Sequence, residues 1–183
     1  MMKKAGLHIR IWGIFILLGI ISCTTPVQGP EIGFYYWKTV WQPGEKTQEY
    51  LQHTAQTPLF LRFFDIDRPA ERDTAIFRGV IQAPGGLPDH YVPTVFITNR
   101  TFIDPDNSQR AYLPAKTYEG LKAKGWPGKG EVQFDCDWSG DTRAAFFTFL
   151  DDFRRLAGDS VQLSATIRLH QIKFPDKTGV PPV

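Results

Sequence analysis

Asp135 and Asp137 are the residues of this chain best placed to do chemistry. They lie in Val132-Gln133-Phe134-Asp135-Cys136-Asp137-Trp138-Ser139. The alternation predicts a strand with Val132, Phe134 and Cys136 on one face and Gln133, Asp135 and Asp137 on the other. Two carboxylates on one face, where a strand runs into a helix, are costly to bury unpaired and require solvent, partners or a ligand. Such a pair could act as acid, base or charge stabiliser. The alternative is a salt bridge with Arg168 or His170 on the following strand.

Asp65 and Asp67 end another strand-like run, Leu59 to Ile66, and are weaker catalytic candidates; Asp67-Arg68-Pro69 also reads as an ordinary loop start. His170 could shuttle a proton, although a strand histidine is more often a hydrogen-bonded structural residue. Tyr35, Tyr36, Trp37 and Trp41 offer aromatic faces suited to the C–H faces of sugar rings, with core packing as the alternative. Trp138, at the strand's end, is the better placed platform. Trp37, Trp138, Arg168 and Asn99 are therefore the candidate substrate-binding residues. Asn99-Arg100-Thr101 also matches a glycosylation sequon, which is set aside as coincidence. The four histidines are scattered, and no metal cluster, Gly-rich phosphate loop or nucleophile elbow is present. No cofactor or metal is implied. Cys136 alternates with polar neighbours and reads as a small buried hydrophobe rather than a thiol nucleophile.

The elements that must position these residues alternate along the chain. Strand character marks Ile32–Trp41, Leu59–Ile66, a short Arg78–Gln82, Val92–Thr98, the aspartate strand, and Val161–His170. Helices are predicted over Glu45–Ala55 and Lys116–Lys124. A third carries Phe146, Phe149, Leu150, Phe153, Leu156 and Ala157 on one face, with Ser139 or Asp141 as its cap and Gly158 at its end. In the last strand–helix–strand unit each strand has one apolar and one polar face. An open sheet covered by helices on both sides would need two apolar faces. A barrel with polar side chains towards its mouth accepts the pattern, as does an antiparallel sheet with one wet face. The intervening helix and right-handed crossovers favour the barrel.

Lys3, Lys4 and Arg10 precede the apolar run Ile11–Ile21, followed by Ser22 and Cys23. That is the layout of a secretory leader, with an apolar segment short for a membrane span. Removing those three leader cations from 21 basic and 19 acidic residues leaves the remainder at −1. No basic block suggests nucleic-acid binding.

Ile20-Ile21-Ser22-Cys23 resembles the lipobox of bacterial lipoproteins. The resemblance implies a signal peptide over 1–22, lipid on Cys23, a tether over 23–30 and a globular domain over 31–183. Membrane lipid would then be a partner through Cys23, with the chain in the bacterial cell envelope. Thr24 in place of an acidic residue points to the outer rather than the inner membrane. Phe134-Asp135-Cys136-Asp137-Trp138 resembles the fourth-strand motif of chitinase-like glycoside hydrolases, an aspartate ladder on a (β/α)8 barrel. Together with Phe34-Tyr35-Tyr36-Trp37, Leu61–Asp67 and Arg168-Leu169-His170-Gln171, it resembles an uncharacterised group of bacterial lipoproteins with a glycosidase-like barrel. The implied fold is α/β, a partial (β/α)8 (TIM-type) barrel.

The chitinase-like motif departs at Ser139, where that family has its glutamate acid; a serine cannot protonate a glycosidic oxygen. Adjacent same-face positions lie about 6.6 Å apart. Retaining and inverting glycosidases place their carboxyls about 5–5.5 or 6.5–9.5 Å apart. The pair alone is thus an ambiguous match, and Asp65 or Asp67 would be the natural partner. A complete barrel takes about 250 residues and this chain reaches about five strands, so a C-terminally truncated barrel is expected; a small complete α/β domain is the alternative. The expected function is that of a glycoside-hydrolase-like lipoprotein acting on or binding polysaccharide. Its alternatives are a non-catalytic carbohydrate-binding lipoprotein or an inactive fragment.

Overall fold

The structure, a computed structural model, describes residues 32–53, 57–103 and 107–182. The leader, Cys23 and the tether lie outside the described residues.

In chain order the elements are β1 (Phe34–Tyr36), α1 (Glu45–His53), β2 (Leu59–Asp67), β3 (Ile76–Arg78), β4 (Val92–Ile97), a 3-10 turn (Asn99–Phe102), α2 (Asn107–Ala123), β5 (Gly130–Cys136), α3 (Arg143–Ala157), β6 (Val161–Ala165), α4 (Leu169–Lys173) and α5 (Pro175–Thr178). Strands β1, β2, β4, β5 and β6 pair in that order, all parallel. Strand β3 lies antiparallel beside Asp65–Asp67, on the edge of β2 that β1 leaves after Leu61. The fold is therefore α/β with a six-stranded, mainly parallel sheet. Among the described residues the sheet is open rather than closed: β1 and β6 do not pair. A TIM-type barrel is thus not formed by these residues.

Parallel neighbours require crossover connections, and here the helices of those crossovers pack on one face. Phe34 on β1 meets Tyr50 of α1 edge-on, with ring centroids 4.9 Å apart. Phe64 on β2 lies against Gly120 of α2. Phe134 on β5 meets Phe149 and Phe153 of α3 at 5.2 and 4.9 Å. Val132, Phe134 and Cys136 are fully buried on this side, as their alternation predicts. Gly158, with φ of 78°, ends α3 where a side chain would be strained.

Several boundaries differ from those predicted. Strand β1 stops at Tyr36 because the chain then swings away from β2 and pairs through Val40 with Gln82. The short strand predicted over Arg78–Gln82 lies at Ile76–Arg78 instead, ended by Gly79 at φ 55°. Helix α2 begins at Asn107, well before the predicted Lys116, and runs through Pro114. An internal proline costs about 3 kcal/mol or more; burial of Leu113 and Leu121 on either side of it holds the helix.

Phe134 is the ring on which α3 is seated. Phe134→Ala is expected to cost about 3–5 kcal/mol, seen as a lower denaturant midpoint with an unchanged slope. A loss below about 1 kcal/mol would show that the α3 contact is not the main packing of this sheet.

Candidate functional site

The face of the sheet opposite the helices carries the polar residues. Alternation places Tyr35, Phe60, Arg62, Thr94, Phe96, Glu131, Gln133, Asp135, Ser164 and Thr166 on this side. Residues 62 and 65 would face opposite ways on a regular strand. A register shift between Arg62 and Phe64 inserts Phe63 as an extra residue, so Arg62 aligns with Thr94 and Asp65 with Phe96 on one face. The bulge makes the two side chains neighbours. Arg62 Nε donates to Asp65 Oδ1 at 2.7 Å, Nη2 pairs with Oδ2, and Nη1 donates to the Trp37 carbonyl at 3.1 Å. Gly79 makes room for this guanidinium, since a Cβ there would lie 2.7 Å from Arg62 Nη2.

On the other side, Arg168 takes both candidate aspartates. Its Nη2 donates to Asp135 Oδ1 at 3.1 Å, and its Nε pairs with Asp137. Thr166 also donates to Asp135, which is only 4% exposed, whereas Asp137 is half exposed. Arg168 is not on a strand. Val161–His170 alternates without a break, yet β6 ends at Ala165 because Gln171 intervenes. Gln171 Oε1 accepts the Arg168 N–H at 2.7 Å, and its Nε2 donates to the Trp138 carbonyl at 3.1 Å. Arg168 thereby becomes the N-cap of α4, and its side chain swings over the ends of β5 and β6.

These walls flank an open hollow of about 390 Å³ at the carboxyl ends of the strands, lined by Trp37, Arg62, Asp65, Phe96, Asp135 and Arg168. That is where open parallel sheets bind ligands. Trp37 is 42% exposed and stacks on Tyr35 with centroids 5.5 Å apart; Tyr35 stacks in turn on Phe60 at 4.8 Å. Trp37, just past β1, and Arg168, just past β6, line the same pocket, so the sheet curls around this face. Burial raises the Tyr35 phenol above its ordinary pKa; the nearby Gln133 side chain opposes that rise, and Asp135 and Glu131 reinforce it. A larger hollow, about 460 Å³, lies at the amino ends of β2 and β4, beside exposed Asp89 and His90. Its lining has Asp89, His90 and Tyr91 but no arginine–carboxylate pair.

Of the predicted site residues, the pocket brings together Trp37, Asp65, Asp135 and Arg168; Asp137 is not part of its lining but pairs with Arg168. The pocket adds Arg62 and Phe96, which the sequence analysis did not single out. A lone arginine in an apolar strand was the available signal for Arg62, because such a charge needs a partner. Trp138 is not a sugar platform. It is fully buried, stacked on Phe146 at 5.2 Å, and its Nε1 donates to the Thr178 carbonyl at 2.7 Å. His170 sits exposed on helix α4, not on a strand. Asn99 hydrogen-bonds Thr142 at the start of α3 rather than lining the pocket. Burial pushes the Cys136 thiol well up, and Asp137 and Asp135 add to the effect, so it stays protonated.

Asp67 belongs to a separate clamp. Arg100 holds it through two bonds of 2.7 and 2.6 Å, Thr98 donates at 2.8 Å, and Arg78 stands 3.2 Å away. The hydrogen bond from Arg100 leads in holding this carboxyl below the usual range, against an opposing effect of burial. No group of three or more His, Cys, Asp or Glu among the described residues is placed to hold a metal ion.

Comparison with known proteins gave no matching family model, no matching curated protein and no matching solved structure. What the pocket can do chemically therefore rests on its own geometry. Its two carboxylates, Asp65 and Asp135, each hold an arginine, so hydrogen-bond donors and acceptors stand side by side in it.

The clamp has a pH signature. With its folded pKa depressed, Asp67 contributes stability that is complete above the unfolded value of about 3.9 and lost as pH falls through the folded value. Asp67→Asn is expected to cost about 1–3 kcal/mol at pH 7. The gap from the parent should shrink on acidification below about pH 4, read from urea unfolding at several pH values. A gap independent of pH would show that the ion pair is not the source.

Proposed function

We propose that this chain is a bacterial envelope lipoprotein, anchored through Cys23, whose curled sheet face binds a glycan without cleaving it. The observation that carries this reading is the pocket itself: an exposed tryptophan beside two arginine–aspartate pairs. Sugars present apolar C–H faces that suit aromatic rings, and hydroxyls that both donate and accept hydrogen bonds. Arg62–Asp65 and Arg168–Asp135 offer donors and acceptors side by side on facing walls. The sequential parallel strand order and the helices gathered on one face support a glycosidase-barrel type of sheet, in which binding at the carboxyl ends is the rule. The lipobox-like Ile20-Ile21-Ser22-Cys23 supports the anchored location.

Hydrolysis is the second reading, favoured by Asp65 and Asp135 lining one pocket from non-adjacent strands. A glycosidase needs two carboxyls free to reach the scissile bond. Both of these are held by guanidinium groups, and Ser139 stands where the chitinase-like motif has its acid. Binding without turnover is the better fit.

Calorimetry of the full chain in detergent with soluble oligosaccharides, beside a reducing-end assay on the same glycans, separates the two. Binding without new reducing ends is expected, weakened at least fivefold by Trp37→Ala. Turnover that disappears in Asp65→Asn or Asp135→Asn would establish the hydrolase instead. For the anchor, Cys23→Ser is expected to abolish incorporation of labelled fatty acid and shift the chain from the membrane fraction to the soluble one. Continued labelling of the variant would exclude Cys23 as the lipid site.

A further inference from the structure

We infer that Arg78 and Arg100 form an oxyanion subsite beside the pocket, which receives an acidic substituent of the bound glycan, a carboxylate or a sulfate ester. This rests on the glycan-binding function proposed above and names the class of glycan. The pocket's own lining is balanced, two arginines against two aspartates, so charge selectivity has to come from what adjoins it. Two features of the β2–β3 flank carry the inference.

The first is position. In the antiparallel pairing of β2 with β3, Arg78 stands directly opposite Asp65, which lines the pocket. Directly opposed residues share a sheet face, so Arg78 lies beside Asp65 on the polar face. Asp67 follows on that face, two residues and about 6.6 Å along the strand. Arg78 and Arg100 both reach its Oδ2, at 3.2 and 2.6 Å. The two guanidinium groups therefore meet just beyond the hollow, at the carboxyl end of β2.

The second is how charge is matched there. Arg100 bonds both oxygens of Asp67, at 2.7 and 2.6 Å, and Thr98 donates to it at 2.8 Å. The carboxylate is buried, whereas both arginine side chains are half exposed. Arg78 thus brings a second cation to a carboxylate that one arginine already holds through two bonds. Arg68 adds a third guanidinium, tied to the Arg100 and Ile103 carbonyls. Glu71, exposed, acts on Arg100 electrostatically. Cations gathered in this way repel one another unless an anion joins them, and the guanidinium fork matches the geometry of an oxyanion. The opposite flank has the reverse arrangement, with Asp135 and Asp137 sharing Arg168. A glycan across the pocket is thus oriented with its acidic group towards β3 and away from α4.

The test is calorimetry on the full chain in detergent with hexamers of glucose, galactose and mannose, each beside its hexauronate and its sulfated form. At low salt at least one acidic hexamer is expected to bind at least fivefold more tightly than its neutral counterpart. The uronate and sulfate arms show which oxyanion the subsite takes. Arg78→Gln is expected to bring that ratio within twofold, and Arg78→Lys, which keeps the charge, to retain part of it. Neutral hexamers that bind as tightly as their acidic forms overturn the inference and leave glycan binding intact. An acidic preference undiminished in a folded Arg78→Gln variant does the same. Should that variant fail to fold, the parent's preference is expected to fade at about 0.5 M salt, as an exposed charge contact must; a preference that persists there overturns the subsite. No binding by any hexamer overturns the glycan reading itself, and inorganic sulfate then decides the subsite. Against chloride at matched ionic strength, it is expected to raise the Tm of the parent about 3 °C more than that of Arg78→Gln. An equal rise in both overturns the subsite as well.

Discussion

Parallel pairing is the constraint on which the rest of this molecule depends. A parallel neighbour cannot be reached by a hairpin, so the chain must cross over the sheet between successive strands, and those crossovers share one hand. With β1, β2, β4, β5 and β6 paired in sequence order, one hand means one side. The helices α1, α2 and α3 accordingly seat on Phe34, Phe64 and Phe134, and the apolar half of every strand is consumed there. What remains is a second face that no helix of the crossovers covers, which is why it carries arginine, aspartate, glutamine and threonine. The polarity of that face follows from the topology and does not require a separate explanation.

A polar face on a curled sheet is still partly desolvated, and the structure manages that cost locally. On β2 the bulge at Phe63 turns a residue spacing of three into a same-face pair, and Gly79 leaves the guanidinium its space. On the other flank the departure of the chain from β6 brings Arg168 over Asp135 and Asp137. Neither pair is an accident of long side chains meeting in solvent, because Asp135 is buried and Arg62 is also tied to the Trp37 backbone. The pairs fix the positions of the carboxylates. A pocket built this way is rigid and polar, suited to holding a hydrogen-bonding ligand.

The β5–α3–β6 unit was legible in the sequence. Its apolar face, the Gly158 terminus and the pairing of the aspartates with Arg168 all follow from alternation, from the spacing of Phe146, Phe149 and Phe153, and from the cost of an unpaired carboxylate. Other features were not legible, for identifiable reasons. A bulge leaves no mark in the pattern of Leu59 to Asp67, so the Arg62–Asp65 pair could not be placed on one face. Pro114 reads as a helix stop, and only the burial of Leu113 and Leu121 overrides it. Val161 to His170 keeps a strand's alternation past the point where Gln171, a residue outside the run, captures the Arg168 backbone and starts a helix. Trp138 was read as a platform from its place at a strand end. Whether such a tryptophan faces solvent or core depends on the turn that follows, and here Thr178 and Phe146 draw it inward.

That inward turn bears on the motif as a whole. Asp135 and Asp137 hold Arg168, the N-cap of α4; Trp138, one residue on, accepts from Gln171 and donates to Thr178 of α5. The stretch from Asp135 to Trp138 thus joins the sheet to both C-terminal helices through side chains and backbone alternately. A hydrolase would need this strand end free to protonate and release a leaving group. In this chain the same residues are committed to positioning, and the arginine that both aspartates hold is the N-cap of α4. Releasing either aspartate from Arg168 would therefore loosen the end of the fold, so the contacts that shape this wall of the pocket are also those that hold α4 to the sheet.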